Sequence, residues 1–205
     1  MQPERLTVYI VEDDAAVRDS LALMLGLAGL RTAFFADAEA FLDAWREDWS
    51  GCVVADLRLP RASGLELQAE MARRGSRLPF IIITAHGDVP AARTAFRAAA
   101  VDFLEKPFDH AQLRAAIGNA FSKEQLRLRR AADAERLASL TAREREVFDA
   151  AARGLHAKEI GRELGISART VEVHKTRIMA KLGARNVAEL VRLALAAGPP
   201  PRETP

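Results

Sequence analysis

Five times between residues 8 and 121 a strand-length apolar run is followed by a stretch with helical spacing. VYIV (8–11) precedes RDSLALMLGLAG, RTAFF (31–35) precedes AEAFLDAWRED, and CVVAD (52–56) precedes GLELQAEMARRG. FIIIT (80–84) is followed by VPAARTAFRAAA, and DFLEK (102–106) by HAQLRAAIGNAF. Repeated strand–helix units build a parallel sheet whose two faces are covered by helices, which is why its strands read as continuous apolar runs. The expected fold class of this part is α/β, a doubly wound parallel sheet. In such sheets ligands bind beyond the carboxyl ends of the strands, where the connections reverse direction.

That end of the expected sheet is where the polar residues gather. Glu12 and Asp13 follow the first strand, Asp56 ends the third, Thr84 ends the fourth and Lys106 ends the fifth, just before Pro107. Three carboxylates at one place repel each other unless a cation sits among them. Hard oxygen donors with no His or Cys point to Mg2+. Mg2+ keeps coordination positions for phosphate oxygens, so the site suits a phosphoryl group delivered to the Asp56 carboxylate as nucleophile. Thr84 and Lys106 are placed to hold the phosphoryl oxygens. Singly, each residue has a bland explanation: a solvated acidic loop, a capping Thr, a surface Lys. Together at one sheet end they define a site.

Beyond residue 120 the strand runs stop and the pattern is helical throughout. Charge changes with it: residues 1–120 carry 13 Lys+Arg against 17 Asp+Glu, net −4, and residues 121–205 carry 17 against 11, net +6. An acidic, cation-binding half is thus joined to a basic half suited to a polyanion. The first 122 residues form one expected domain. FSKEQLRLRRAADAERLASL lacks Pro and Gly, so residues 123–137 are expected to be a helical linker. Residues 138–197 are an expected all-α, four-helix domain, and the Pro-rich 198–205 an expected disordered tail.

In the basic half, Thr141 and Glu144 form a T-x-x-E capping box, and HAKEIGRELG ends at Gly165. Ser167 is an N-cap for a helix over 168–182. Two short helices around a Gly-containing turn make a helix-turn-helix, whose second helix enters the DNA major groove. Val171, His174, Ile178 and Leu182 share the expected core face. Arg169, Glu172, Val173 and Thr176 lie opposite and are candidates for base edges. Lys158, Thr170, Lys175, Arg177 and Lys181 are candidates for phosphates.

IVEDDAAVR, VVADLRLPRASG, IIITAHGD and DFLEKPF resemble the successive signatures of response-regulator receiver domains over residues 5 to about 122. That resemblance implies a (βα)5 flavodoxin-like fold and phosphorylation of Asp56 by a sensor histidine kinase. It also implies Mg2+ on Glu12, Asp13, Asp56 and the backbone carbonyl of Arg58, and a switch pair in Thr84 and Phe103. Pro60 and Gly64 match the family's loop after the phosphorylated residue. Glu12 stands where many members carry Asp, and Phe103 where Tyr is frequent. Residues 137–197 resemble the LuxR-type DNA-binding domain, with its third helix reading DNA and its fourth, 186–197, making dimer contacts. The order of parts resembles the NarL/FixJ class, with AHGDVP and VDFLEKPF nearest its FixJ subgroup.

The resemblance implies a phosphorylation-activated transcriptional regulator rather than an enzyme. Its expected partners are the kinase, double-stranded promoter DNA, RNA polymerase and a second copy of the chain, paired when phosphorylated through the surface of 89–99 and 102–106. His86 and Arg58 flank the site and are expected to tune the lifetime of the phosphoryl group. Three other readings stand beside this one: an aspartyl-phosphate hydrolase, a regulator indifferent to phosphorylation, and an RNA binder. The first needs an acid–base Asp where Arg58 stands, the second ignores a complete pocket, and the third meets the narrow major groove of RNA. No apolar run is long enough to span a bilayer and the N-terminus lacks a signal-peptide layout, so the chain is expected to be cytoplasmic. Its single cysteine, Cys52, lies in an apolar run and is expected to be a buried, inert thiol.

Overall fold

The computed structural model describes residues 6–85 and 102–197. Strands β1 (Thr7–Val11), β3 (Gly51–Asp56) and β4 (Phe80–Thr84) lie at the centre of a parallel sheet flanked by β2 (Arg31–Phe35) and β5 (Asp102–Glu105), in the order β2-β1-β3-β4-β5. Every residue of β3 and β4 is buried, as a sheet covered on both faces requires. Alternate residues feed two cores: Tyr9, Val11, Val53, Ala55, Phe80 and Ile82 on one face, Val8, Ile10, Cys52, Val54, Ile81 and Ile83 on the other. Helices α2 (Ala38–Ala44) and α3 (Gly64–Arg73) cover the first core with Phe41, Leu67 and Met71. Helices α1 (Ala15–Leu27) and α4 (His110–Ala138) cover the second with Leu21, Leu25, Leu113 and Ile117. The strand order reverses between β1 and β3, so the crevice beyond their carboxyl ends is the ligand position of this fold.

The expected α/β class, strand count and polarity are therefore observed, with one difference of extent. The second helix stops at Ala44 rather than running through 48. Trp45 leaves helical geometry and packs against the core, while Trp49 stacks on Tyr9 with ring centroids 4.3 Å apart; aromatic burial outweighs the helical preference of the intervening residues. Arg46 closes the truncated helix by donating to the carbonyls of Asp43, Ala44 and Trp45. The expected linker, 123–137, is helical as the continuation of α4, which runs without a break to Ala138, and Leu137 enters the core of the second unit. The chain divides into compact units at Gln125 and Leu126.

The second unit holds helices α5 (Ala142–Ala152), α6 (Ala157–Leu164), α7 (Ala168–Leu182) and α8 (Val187–Ala197) around Val147, Phe148, Ile160, Val171, Ile178, Leu182, Leu190 and Leu193. The Thr141–Glu144 capping box and the Ser167 cap form as expected, and Gly165 ends α6 in the left-handed region. Gly161 lets the turn close: a Cβ there would stand 2.7 Å from the Ile166 carbonyl oxygen. Cys52 is fully buried, and burial pushes its thiol up to about 12. No helix among the described residues is long and apolar enough to cross a membrane. The expected helix 89–100, His86 and the tail 198–205 lie outside the described residues.

Candidate functional site

Asp56 is the last residue of β3, and the Val11–Ala55 register sets Glu12 beside it on the neighbouring strand. Both are nearly inaccessible, at 7% and 1% exposure, as is Thr84 at 1%. Charge at such burial requires compensation, and Lys106 supplies it from the end of β5. Its Nζ donates to Asp56 Oδ2 at 2.5 Å and to Glu12 Oε2 at 2.7 Å. The other Asp56 oxygen, Oδ1, accepts the Arg58 backbone N–H at 2.7 Å. Burial raises the Glu12 carboxyl above its ordinary value, against the opposing pull of Lys106. Burial works against the Lys106 charge, but the hydrogen bonds it donates to Asp56 and Glu12 outweigh it and hold the ammonium above its ordinary value.

The loop after β3 folds back tightly. Gly64 begins α3 with its N–H on the Leu57 carbonyl, and a Cβ at Gly64 would fall 2.4 Å from the Asp56 carbonyl oxygen, so only glycine admits this approach. Ser63 and Glu66 close a capping box there, and Arg61, at φ 66°, pairs with Asp37 and Glu39. Phe103 is half-buried opposite Ile82, which puts it on the face of the sheet shared by Ile82 and Thr84.

Asp13 departs from the expected convergence: it is exposed, and among the described residues no three Asp, Glu, His or Cys come close enough to cage a metal unaided. Mg2+ does not require such a cage, since it takes one or two carboxylates and keeps several waters. The hard oxygens of Glu12, Asp13, Asp56 and the Arg58 carbonyl fit it chemically, while Lys106 neutralises two of them in the present arrangement. One contributor escaped the sequence reading. Arg18, in the first turn of α1, donates from Nη1 to the carbonyls of Glu12 and Asp13, each at 2.7 Å, and so pins the acidic loop. Nothing in residue type or spacing marks it, because its acceptors are backbone atoms.

In the second unit, Val171, Ile178 and Leu182 are buried on α7, and His174 is partly buried with Nδ1 turned inward. Arg169, Thr170, Glu172, Val173, Thr176 and Arg177 are exposed, as is Lys158 on α6. Val173 is 46% exposed, an apolar residue on an otherwise polar face. Lys175 pairs with Glu172 at 3.0 Å, and the Thr176 hydroxyl donates to the Glu172 carbonyl. The Thr170 hydroxyl lies 2.8 Å from Ser167 Oγ at the helix cap. Lys181 differs from the others. It is tied inward to Glu144 at 2.6 Å and to the Ser139 carbonyl at 3.2 Å, because the buried Glu144 carboxylate offers it a closer anion than solvent does.

The family profile for the response regulator receiver domain matches residues 8–118, and that of the bacterial regulatory proteins of the luxR family matches 138–194. The transcriptional regulatory protein FixJ of Azorhizobium caulinodans is 44% identical over 205 residues, covering 98% of this chain and 97% of its own. FixJ of Bradyrhizobium diazoefficiens is 45% identical, over 93% of this chain and 95% of its own. Among solved structures, response regulator StyR superposes with a TM-score of 0.72 at 39% identity, over 92% of this chain and 98% of its own. Full-length FixJ from B. japonicum gives 0.60 at 44%, over 95% and 98%. The chain belongs to the response regulators of the NarL/FixJ class, a receiver domain followed by a LuxR-type DNA-binding domain. It is a phosphorylation-dependent transcriptional regulator and not an enzyme; a histidine kinase and DNA are the partners its two domains imply, and receiver domains of this family bind Mg2+ at the phosphorylation site.

Proposed function

We propose that Asp56 is the phosphoacceptor. The observation that supports it most directly is that, among the described residues, the Asp56 side chain is hydrogen-bonded only to the Arg58 backbone N–H and to the flexible-chain Lys106 ammonium. A carboxylate oxygen of Asp56 attacks the phosphorus of a phosphohistidine, the P–O bond forms, the P–N bond breaks and the imidazole leaves. Glu12, Asp13, Asp56 and the Arg58 carbonyl would hold Mg2+, which would supply charge neutralisation for the phosphoryl oxygens. Lys106 turns from the carboxylates to the new phosphoryl oxygens, which add about −1.5 to −2 charges beside it. Thr84 closes on the same oxygens and Phe103 rotates into the space it vacates.

That change is read out by pairing of two receivers through a surface that includes 102–106. Pairing sets two α7 helices about one helical turn apart on promoter DNA, where RNA polymerase is met. Arg169, Glu172, Val173 and Thr176 face the base edges, and Lys158, Thr170, Lys175 and Arg177 the phosphates. A shift from mostly unpaired to mostly paired takes about 5.5 kcal/mol of differential stabilisation.

The test is light scattering with Mg2+, before and after beryllofluoride, on the wild type and Asp56→Ala. The expected result is a doubling of mass in the wild type alone, with an unchanged melting temperature in the variant. A variant that also doubles removes Asp56 from the site; a wild type that stays monomeric removes pairing from the mechanism.

A further inference from the structure

We propose that Lys181 positions the DNA-reading helix and does not itself touch DNA: its ammonium clamps the last turn of α7 to the carboxylate that begins α5 and to the carbonyl that ends α4. This rests on α7 being the helix that reads DNA.

Lys181 is the penultimate residue of α7, and its side chain, still partly open to solvent, reaches the start of α5. Glu144, its main partner, is 6% exposed at the side chain and does two things with one oxygen. Glu144 Oε2 accepts the Thr141 N–H at 2.9 Å, completing the capping box of α5, and accepts Lys181 Nζ at 2.6 Å. The same ammonium reaches the Ser139 carbonyl at 3.2 Å, one residue past the end of α4, where a cation also complements the negative end of the helix. The Ser139 hydroxyl in turn caps that end by donating to the Arg136 carbonyl at 2.6 Å. Three elements thus share one charge.

Two properties separate Lys181 from the other exposed cations Arg169, Arg177 and Lys158. Among the described residues those have no carboxylate paired with them, whereas Lys181, although 37% of its side chain is exposed, is paired, and swinging it to a phosphate would leave the Glu144 carboxylate covered and without its counter-ion. The clamp also acts at the end of α7 remote from Arg169 and Thr170, so it sets the tilt at which the whole reading face approaches the duplex. Loss of a clamp weakens all contacts together without changing how many phosphates are neutralised. Loss of a phosphate contact changes that number, and salt dependence reports it.

The experiment measures affinity by fluorescence anisotropy, at several salt concentrations, for a labelled duplex that the wild-type chain selects from a random-sequence pool. Lys181→Met is expected to lower affinity about tenfold, or ~1.4 kcal/mol, at an unchanged slope of log affinity against log salt. Lys181→Arg, which keeps both partners within reach, restores it. Arg177→Ala, as the control, flattens the slope by about one. Glu144→Gln preserves the capping box and is folded if Lys181→Met is not, because Gln serves at that position as Glu does. Its sign is diagnostic: a clamp predicts weaker binding, whereas a phosphate-contacting Lys181, freed of its anion, predicts tighter binding. A flattened slope or undiminished affinity in Lys181→Met, or tighter binding in Glu144→Gln, overturns the assignment. Failure of the wild type to select any duplex would instead overturn the DNA-reading face of α7, a result visible before any variant is made.

Discussion

Arg18 shows how far a site can depend on a residue that carries none of its chemistry. A guanidinium near an Mg2+ site repels the metal, and by charge alone its removal should strengthen binding. Its two 2.7 Å bonds to the Glu12 and Asp13 carbonyls act the other way, by holding the loop from which both carboxylates project. Hydrogen bonds of this kind contribute about 1–2 kcal/mol, so Arg18→Ala is expected to weaken Mg2+ affinity roughly five- to thirtyfold. Titration calorimetry of Mg2+ into the unphosphorylated chain checks this; equal or tighter binding would show that Arg18 acts only as a charge. Glu12, Asp13, Asp56, Thr84 and Lys106 were legible as a set because each is polar at the end of an apolar run. Arg18 was not, since a surface-type residue in an amphipathic helix gives no sign that its acceptors are main-chain oxygens.

At the scale of elements, helix ends followed local rules where local groups satisfied them. Thr141 and Ser167 cap as their spacing indicates, and Ser63, which the sequence reading did not single out, caps in the same way, each with its side chain on the N–H three residues later. The second helix did not follow, because Trp49 gains more from the aromatic cluster of Tyr9, Phe35 and Phe41, and Trp45 from packing against the same core, than from another helical turn. Glu144 joins both behaviours, a local cap and a tie between helices. Lys181 foremost, then the Thr141 N–H, hold its carboxyl down at about 2, against an ordinary 4.5. A depressed folded-state value stabilises above the unfolded value and is lost as pH falls toward the folded one. The melting-temperature advantage of the wild type over Glu144→Gln is therefore expected to be full at pH 6, to shrink below pH ~4.5 and to vanish near pH ~2. An advantage that did not change with pH would mean that the carboxylate charge is not what ties these helices.

For the whole molecule, segregated charge is the property with a direct readout. Lys158, Lys175 and Arg177 are the cations that meet phosphates on the proposed reading surface, and each neutralised phosphate contributes about −0.9 to the slope of log affinity against log salt. A monomer is expected to give a slope of about −2 to −3, and a pair formed with Mg2+ and beryllofluoride roughly twice that on a two-site duplex. Binding measured across a salt series in both states checks it. An equal slope in both states would mean that phosphorylation alters something other than the number of DNA-binding units engaged.

The periodicity and order of apolar runs determined the α/β class, the strand polarity and the end of the sheet at which the acidic pocket lies, because burial on both faces leaves strands only one reading. Capping residues and the Gly165 turn likewise determined the helix-turn-helix, since backbone N–H groups at helix starts must find acceptors nearby in the chain. Tertiary structure alone decided which charges meet. It put Lys106 between Glu12 and Asp56 across 94 and 50 residues of sequence, left Asp13 exposed, hung the acidic loop on Arg18 and turned Lys181 inward to Glu144 across 37. Long flexible side chains reach partners that no local pattern specifies, and which partner they choose follows from burial, which exists only once the chain has folded.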